Sequence, residues 1–207
     1  MGDISFVVVS TPRSGTTFTA DLLRSMGVHC DHEYYFNPDH RITHDDAHEK
    51  FGDASWMAAP FLRSLPKDTV ILHQVRDPLY TIDSMIDTGH FNFEHADNPY
   101  IRFIRKHVPF PEGLDVVGRG MFFWAYWHRL IEREASAHQR PWWRYQLERL
   151  DAARIASVVG HEIDPRTAAM FQRTTPNNNT RGQAGTHSIT EDVLTDTVRA
   201  MRREYGY

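Results

Sequence analysis

The chain of 207 residues has little of several features that mark particular classes of protein. Its single cysteine, Cys30, excludes an internal disulfide framework. Its 23 lysine and arginine residues are outnumbered by 27 aspartate and glutamate residues, which argues against a chain that coats nucleic acid or an anionic membrane. The longest apolar runs, such as Phe6–Val9 and Met121–Trp127, fall far short of the roughly 20 residues that span a bilayer.

The start of the sequence also lacks a basic leader or a small-residue cleavage site. A strand-like run begins already at Ile4. We therefore expect no secretory signal and predict a cytoplasmic protein with one domain over residues 1–207.

Strand-like and helix-like segments alternate along the chain. The β-branched runs at Ile4–Val9 and Thr69–Val75 favour strands that are buried on both faces, and each is followed by a turn and an amphipathic stretch. A third strand is predicted at Trp142–Gln146. Further helices are predicted over residues 118–138, 150–160 and 190–205. This alternation predicts an α/β domain with a mostly parallel central sheet flanked by helices.

Two stretches are predicted to be irregular. Residues 89–111 mix proline, asparagine and histidine with short apolar pieces, and we interpret them as an active-site insertion or lid. Residues 174–188 are rich in asparagine, threonine and glycine and are predicted to form a loop.

The first strand leads directly into Pro12-Arg13-Ser14-Gly15-Thr16-Thr17 and then into a helix. This arrangement surrounds an anion with backbone N–H groups and a positive helix end, to which the loop adds hydroxyls and a guanidinium. The ATP-binding pattern G-x-x-x-x-G-K-[ST] is not met, because Ser10 replaces its first glycine and Thr16 its lysine. Arg13 instead supplies a planar fork for a terminal oxyanion. An ordinary strand-to-helix turn is the alternative.

The segment Thr11–Thr17 resembles the 5′-phosphosulfate loop of sulfotransferases that use 3′-phosphoadenosine 5′-phosphosulfate (PAPS). A second segment, Val70–Pro78 followed by Ser84, is similar to that family's 3′-phosphate motif, in which a strand-end arginine and a serine eight residues later bind the phosphate. Here these residues are Arg76 and Ser84. A strand end and the next helix can face one crevice at the sheet edge, so the spacing is physically sensible. Taken alone, Arg76-Asp77-Pro78 also fits a turn that caps the next helix, which is the alternative interpretation.

Two further segments resemble the same family. The strand ending at Tyr145 is similar to a Tyr-Glu-Asp-Leu-like segment, from which Gln146 and Glu148 depart, and the resemblance implies that Tyr145 stacks near adenine; a buried strand aromatic is the alternative. Thr180–Gly185 resembles a late Arg-Lys-Gly-x-x-Gly loop that closes over the 3′-phosphate. That resemblance implies that Arg181 and Gly182 contact PAPS. A plain flexible connection is the alternative interpretation.

The resemblance implies transfer of a sulfuryl group from PAPS to a hydroxyl or, less favoured, an amine, with 3′-phosphoadenosine 5′-phosphate (PAP) as product and no metal. Such transfer needs an in-line donor, stabilisation of the leaving oxygen and a base. The three lysines, Lys50, Lys67 and Lys106, lie outside the loop. Arg13, the loop N–H groups and the Thr16 and Thr17 hydroxyls must therefore carry most donor contacts.

The general base is sought after the first helix, where relatives such as tyrosylprotein sulfotransferases carry a glutamate. Glu33 is the best match, His32 is second and Asp31 third. A solvated loop carboxylate is the alternative for Glu33.

Three other groups of residues have structural interpretations. His40, His44 and His48 share one face if their segment is helical, and we favour an exposed polar helix over a metal site. The aromatics of residues 122–127 are interpreted as core, with one or two rings lining an acceptor pocket. Arg199, Arg202 and Arg203 are interpreted as a solvated helix end.

The sequence leaves other functions open. A P-loop nucleotide or small-molecule kinase is the alternative enzyme, and a module that binds PAPS or PAP without turnover is the alternative without catalysis. The acceptor is also open among carbohydrate, lipid, small phenol and peptide tyrosine, and no oligomeric state is predicted.

Overall fold

Five strands form one sheet in the computed structural model, which describes residues 4–38, 51–95, 97–138, 142–164, 166, 170 and 189–207. The strands are Ile4–Val9 (β1), Cys30–His32 (β2), Phe51–Ala54 (β3), Val70–Val75 (β4) and Trp142–Gln146 (β5). All neighbouring strands pair in parallel, in the order β2-β3-β1-β4-β5. The two longest β-branched runs of the sequence, β1 and β4, thus lie side by side in the sheet.

The described α-helices flank this sheet. They are Thr16–Ser25 (α1), Pro78–Asp87 (α2), Pro99–His107 (α3), Val116–Ala137 (α4), Ala152–Val158 (α5) and Asp196–Glu204 (α6). There are also two 3₁₀ helices in the described residues: Trp56–Ser64 lies between β3 and β4, and Leu147–Arg149 lies between β5 and α5. Among the described residues, none of the helices combines the length and the apolar character needed to cross a membrane.

The sheet has a hydrophobic core on each face. Phe6 and Val8 of β1 pack with α1 and α5, whereas Val7 and Val9 pack on the opposite side with Trp56 and the helices α2 to α4. Successive side chains of a strand point to opposite faces, so a continuous apolar run is what a strand covered on both sides requires. The predicted α/β fold with a parallel sheet flanked by helices is confirmed.

Element boundaries follow the sequence where its pattern is strong. The strands Ile4–Val9 and Trp142–Gln146 were predicted to the residue, and the helix predicted over residues 118–138 runs from Val116 to Ala137. The last helix begins later than predicted, at Asp196, because the Thr195 hydroxyl accepts from the Val198 N–H and caps it there. Strands β2 and β3 were not predicted, since β2 has three residues and β3 has no β-branched residue.

Two interpretations of sequence segments are corrected by packing. Residues 89–111 contain α3, and Phe91, Ile101 and Phe103 are buried in the core, so this stretch is not irregular as predicted. Its interpretation as an active-site insertion or lid stays a prediction. Arg202 is not solvated, because its guanidinium makes two hydrogen bonds of 3.0 Å to the carboxylate of Asp77. The core interpretation of residues 122–127 is confirmed for Phe123, Trp124 and Trp127.

Candidate functional site

The loop between β1 and α1 presents the start of α1 without a side-chain cap. Gly15 occupies the N-cap position with φ 86°, in the left-handed region that suits glycine, and no side chain accepts from the first helical N–H groups. The other α-helices in the described part of the chain all have a capping side chain, namely Asp77, Asn98, Asp115, Asp151 and Thr195. The first turn of α1 therefore keeps donors and a positive helix end for an anion.

A buried polar cluster fixes the shape of this loop from below. The side chain of Gln74, at the end of β4, donates to the Ser14 carbonyl at 2.6 Å and accepts from the hydroxyls of Thr19 and Tyr145 at 2.5 and 2.6 Å. The Ser14 hydroxyl lies 2.6 Å from that of Thr11. Buried polar groups that are fully partnered specify one arrangement of the chain.

Two residues that were predicted to bind PAPS, Ser14 and Tyr145, belong to this cluster on the buried side of the loop. Ser14 is completely buried, and Tyr145 is 6% exposed with its ring stacked on Trp143 at 5.2 Å between centroids. Pro12 is also buried, whereas Arg13, Gly15 and Thr17 are accessible. The structure thus presents the outer part of the loop to a ligand, and adenine stacking by Tyr145 stays a prediction.

The two motifs that the sequence singled out meet through Arg13. Its Nε donates to the Ser84 hydroxyl at 2.9 Å, and its carbonyl accepts from Nη1 of Arg76 at 3.1 Å. These contacts join residues separated by 71 and 63 positions. Two guanidinium groups and a hydroxyl therefore converge beside the uncapped end of α1, which is a set of donors suited to an anion with several phosphate or sulfate groups.

Glu33 lies directly after β2 in a constrained backbone conformation. Among the described residues other than glycine, two have positive φ angles: Arg13 with 64° and Glu33 with 53°. The Glu33 N–H donates to the Ala54 carbonyl at 3.3 Å, and the Asp53 carboxylate accepts from the N–H groups of Tyr34 and Phe36 at 3.2 and 3.1 Å. Unusual backbone angles persist where neighbouring bonds hold them, and they concentrate at functional sites.

The environment of the Glu33 carboxyl brings its pKa close to neutrality. Burial, together with the negative charge of Asp53, raises the pKa of Glu33 to about 7, although hydrogen bonds from the side chains of Trp56 and Tyr100 oppose the rise. Burial likewise raises the pKa of Asp53 to about 6. A carboxyl group with a pKa near the working pH is suited to accept a proton.

His32 contacts the first turn of α1. Its Nε2 lies 3.1 Å from the hydroxyls of Thr16 and of Thr17, and 3.8 Å from a carboxylate oxygen of Glu33. Burial, followed by the charge of Arg24, lowers the pKa of His32. The structure thus places His32 against the first turn of α1, with Glu33 next to His32, whereas the third candidate, Asp31, lies 3.6 Å from Nε2 of His29.

His90 is a group that the sequence analysis did not select. Its Nδ1 is 2.7 Å from the Thr88 hydroxyl, which also lies 2.8 Å from the Ser84 carbonyl and 3.2 Å from the Met85 carbonyl. Either atom of the pair of Nδ1 and the Thr88 hydroxyl can be the donor, and the tautomer of the ring decides which. Burial and the charge of Arg13 lower the pKa of His90 to about 4, so the ring is neutral at pH 7.

Aromatic side chains connect His90 to Glu33. The Trp56 side chain donates a hydrogen bond to Glu33. The centroid of its ring lies 6.4 Å from that of the His90 ring and 6.3 Å from that of the Tyr100 ring. Tyr34 and Tyr100 are among the exposed large side chains. Trp56 and Tyr100 were not predicted because they lie on the first 3₁₀ helix and on α3, and no local pattern links them to residue 33.

Several predicted residues lie outside the described part of the chain. Arg181 and Gly182 fall in residues 171–188, and His40, His44 and His48 fall in residues 39–50. Among the described residues, no group of three or more His, Cys, Asp or Glu side chains is arranged to hold a metal ion.

Comparison with known proteins adds no relative to this site. No protein-family model and no curated protein matches the chain.

Proposed function

We propose that the protein is a PAPS-dependent sulfotransferase that transfers a sulfuryl group to a hydroxyl or amine acceptor. The observation that carries the proposal is the contact of Arg13 with both Arg76 and Ser84 beside an uncapped helix end. The two motifs resemble the 5′- and 3′-binding segments of one donor, and that interpretation requires them to lie together. PAPS, when bound, supplies the sulfuryl group and a nucleotide bisphosphate leaving group.

The chain provides different donors for the two ends of such a nucleotide. The first turn of α1, the Thr17 hydroxyl and Arg13 suit the 5′-phosphosulfate, because backbone N–H groups and a guanidinium can stabilise charge on the leaving oxygen. Arg76 and Ser84 suit the 3′-phosphate. A helix end of this kind and two arginines give the site positive charge within an acidic protein.

Glu33 is the proposed general base. Its carboxylate accepts the proton of the acceptor hydroxyl while the acceptor oxygen forms a bond to sulfur and the bond from sulfur to the bridging phosphate oxygen breaks. The electron pair of the broken bond leaves with PAP, to which Arg13 and the α1 N–H groups are the available counter-charges. Trp56 and Tyr100 hold the Glu33 carboxylate in place through hydrogen bonds.

Binding calorimetry with PAP and AMP tests the nucleotide assignment. We expect PAP to bind roughly 10- to 100-fold more tightly, because each lost charge-assisted hydrogen bond to a phosphate costs roughly 1.5–3 kcal/mol. Equal affinities would overturn the proposal.

Labelled PAPS and a panel of carbohydrate, lipid, phenol and tyrosyl-peptide acceptors then test transfer, with EDTA present. Transfer that needs magnesium, or phosphoryl transfer from ATP, would favour a kinase. Tight PAP binding without transfer to any acceptor class would favour a binding module.

A further inference from the structure

Arg76 has a negatively charged neighbour at the place where the 3′-phosphate is proposed to bind. Glu148 follows β5 in the 3₁₀ helix Leu147–Arg149, and its Oε1 lies 3.8 Å from Nε of Arg76. At this distance the two side chains form an ion pair but no hydrogen bond. The orientation of Arg76 is set elsewhere, because its Nη1 donates to the Arg13 carbonyl at 3.1 Å. Glu148 therefore acts on Arg76 through its charge.

The side chain of Tyr207 holds Glu148 in this position. The Tyr207 hydroxyl lies 2.6 Å from Oε2 of Glu148 and 3.2 Å from the Val75 carbonyl, and its one proton goes to the closer, charged oxygen. The Asp77 N–H approaches Oε1 at 3.5 Å. An exposed glutamate would otherwise extend into solvent to keep its rotamer freedom.

We propose that Glu148, held by Tyr207, competes with the 3′-phosphate for Arg76 and so weakens the binding of 3′-phosphorylated nucleotides. This inference rests on the proposed function. A phosphate at Arg76 brings negative charge within a few ångströms of the carboxylate, and like charges at that distance repel. PAP is the product as well as part of the donor, so the same repulsion speeds product release. Glu148 is also one of the residues that depart from the segment typical of the family.

The variant Glu148→Gln tests the competition because it removes the charge and keeps the shape. Calorimetry should show PAP bound about three- to tenfold more tightly, with the gain shrinking at high salt, and AMP changed much less. Glu162→Gln is the matched control. Glu162 is exposed, and the adjacent His161 contacts the Met26 carbonyl at 2.9 Å, at the opposite end of α1 from the loop.

Tyr207→Phe tests the role of the hydroxyl. It should tighten PAP binding by less than Glu148→Gln does, and it should add nothing in the double variant, because it acts through the same carboxylate. Unchanged or weaker PAP binding by Glu148→Gln overturns the inference, as does an equal gain for AMP or for the Glu162→Gln control. If the parent protein binds PAP and AMP equally, the proposed function fails first. If the parent discriminates between them and Glu148→Gln binds PAP as the parent does, only this inference fails.

Discussion

The two turns that follow β1 and β4 lie side by side, because these strands are parallel neighbours in the sheet. After β1, the chain leaves the N–H groups of α1 uncapped and holds Arg13 at φ 64°. After β4, Asp77 caps α2 by accepting from the Leu79 N–H at 3.1 Å. The first turn thus offers backbone donors to an anion, whereas the second offers the side chain of Arg76 and leads into α2, which carries Ser84.

This difference suggests a division of labour. Backbone N–H groups are fixed in direction and stabilise charge that develops at one point, which suits the end of a donor where a bond breaks. A guanidinium and a hydroxyl on side chains suit recognition of a phosphate that does not react. Under the proposed function, the β1–α1 loop, with Glu33 and His32 near it, is the reacting end, and the β4–α2 turn is the recognition end.

Glu33→Gln gives the largest expected effect and tests the reacting end. The amide keeps the shape and can still accept from Trp56 and Tyr100, but it cannot take up the acceptor proton. Turnover should fall by roughly 10²- to 10⁴-fold while PAP affinity stays that of the parent. The measurement is steady-state transfer of labelled sulfate to the acceptor that the panel identifies.

Two histidine variants serve as controls for this experiment. If Glu33→Gln is fully active and His32→Ala is not, the base was misassigned to the glutamate. If both are active, the neutral imidazole of His90 is the next candidate, and His90→Phe should then be inactive.

Arg76→Ala tests the recognition end. Loss of the guanidinium should weaken PAP binding roughly 10- to 100-fold and leave AMP binding nearly unchanged, because AMP has no 3′-phosphate. Arg149→Ala is a matched control, since Arg149 is exposed on the neighbouring 3₁₀ helix. An equal loss of affinity for PAP and AMP would show that the two turns do not divide the nucleotide as proposed.

The pH dependence of transfer by the parent protein tests the proposed role of Glu33. Its pKa is raised to about 7, and the base must be deprotonated to act, so kcat/KM should fall as pH decreases below 7. One pH unit below the pKa, about a tenth of the groups are deprotonated, and the rate should be about a tenth of its plateau. His90, with a pKa of about 4, would keep activity down to far lower pH if it were the base. A profile that is flat from pH 5 to 8 would contradict the role of Glu33.

The sequence predicted the parts of this site that depend on local pattern. The β1–α1 loop, Arg76 and Ser84 each follow a strongly β-branched strand, so their place at one sheet edge could be deduced from the common direction of the strands in a parallel sheet. Glu33 was found through the family resemblance. Its pKa, however, depends on Asp53, Trp56 and Tyr100, which come from three separate elements.

Long-range contacts account for what was missed. The Arg202 pair with Asp77 joins residues 125 positions apart, and nothing in the sequence near Arg202 distinguishes it from a solvated arginine. Tyr145 is a similar case, because its hydroxyl reaches Gln74 across 71 positions. Such contacts follow from the docking of whole helices and strands rather than from local spacing.

Asp77→Ala gives the smallest effect and tests whether the second turn is built as a structural cap. The Asp77 carboxylate both caps α2 and pairs with Arg202, whose side chain is 17% exposed. Removing it should lower the free energy of unfolding by about 1–3 kcal/mol, measured by urea denaturation.

Asp151→Ala is the control, because it removes the cap of α5 at an exposed position and should lower the free energy of unfolding by about 1 kcal/mol. The β1–α1 loop has no capping carboxylate to remove in this way. If Asp77→Ala lowers the free energy of unfolding no more than Asp151→Ala does, the ion pair with Arg202 contributes nothing to stability. The β4–α2 turn then differs from the β1–α1 loop only in having a side-chain cap.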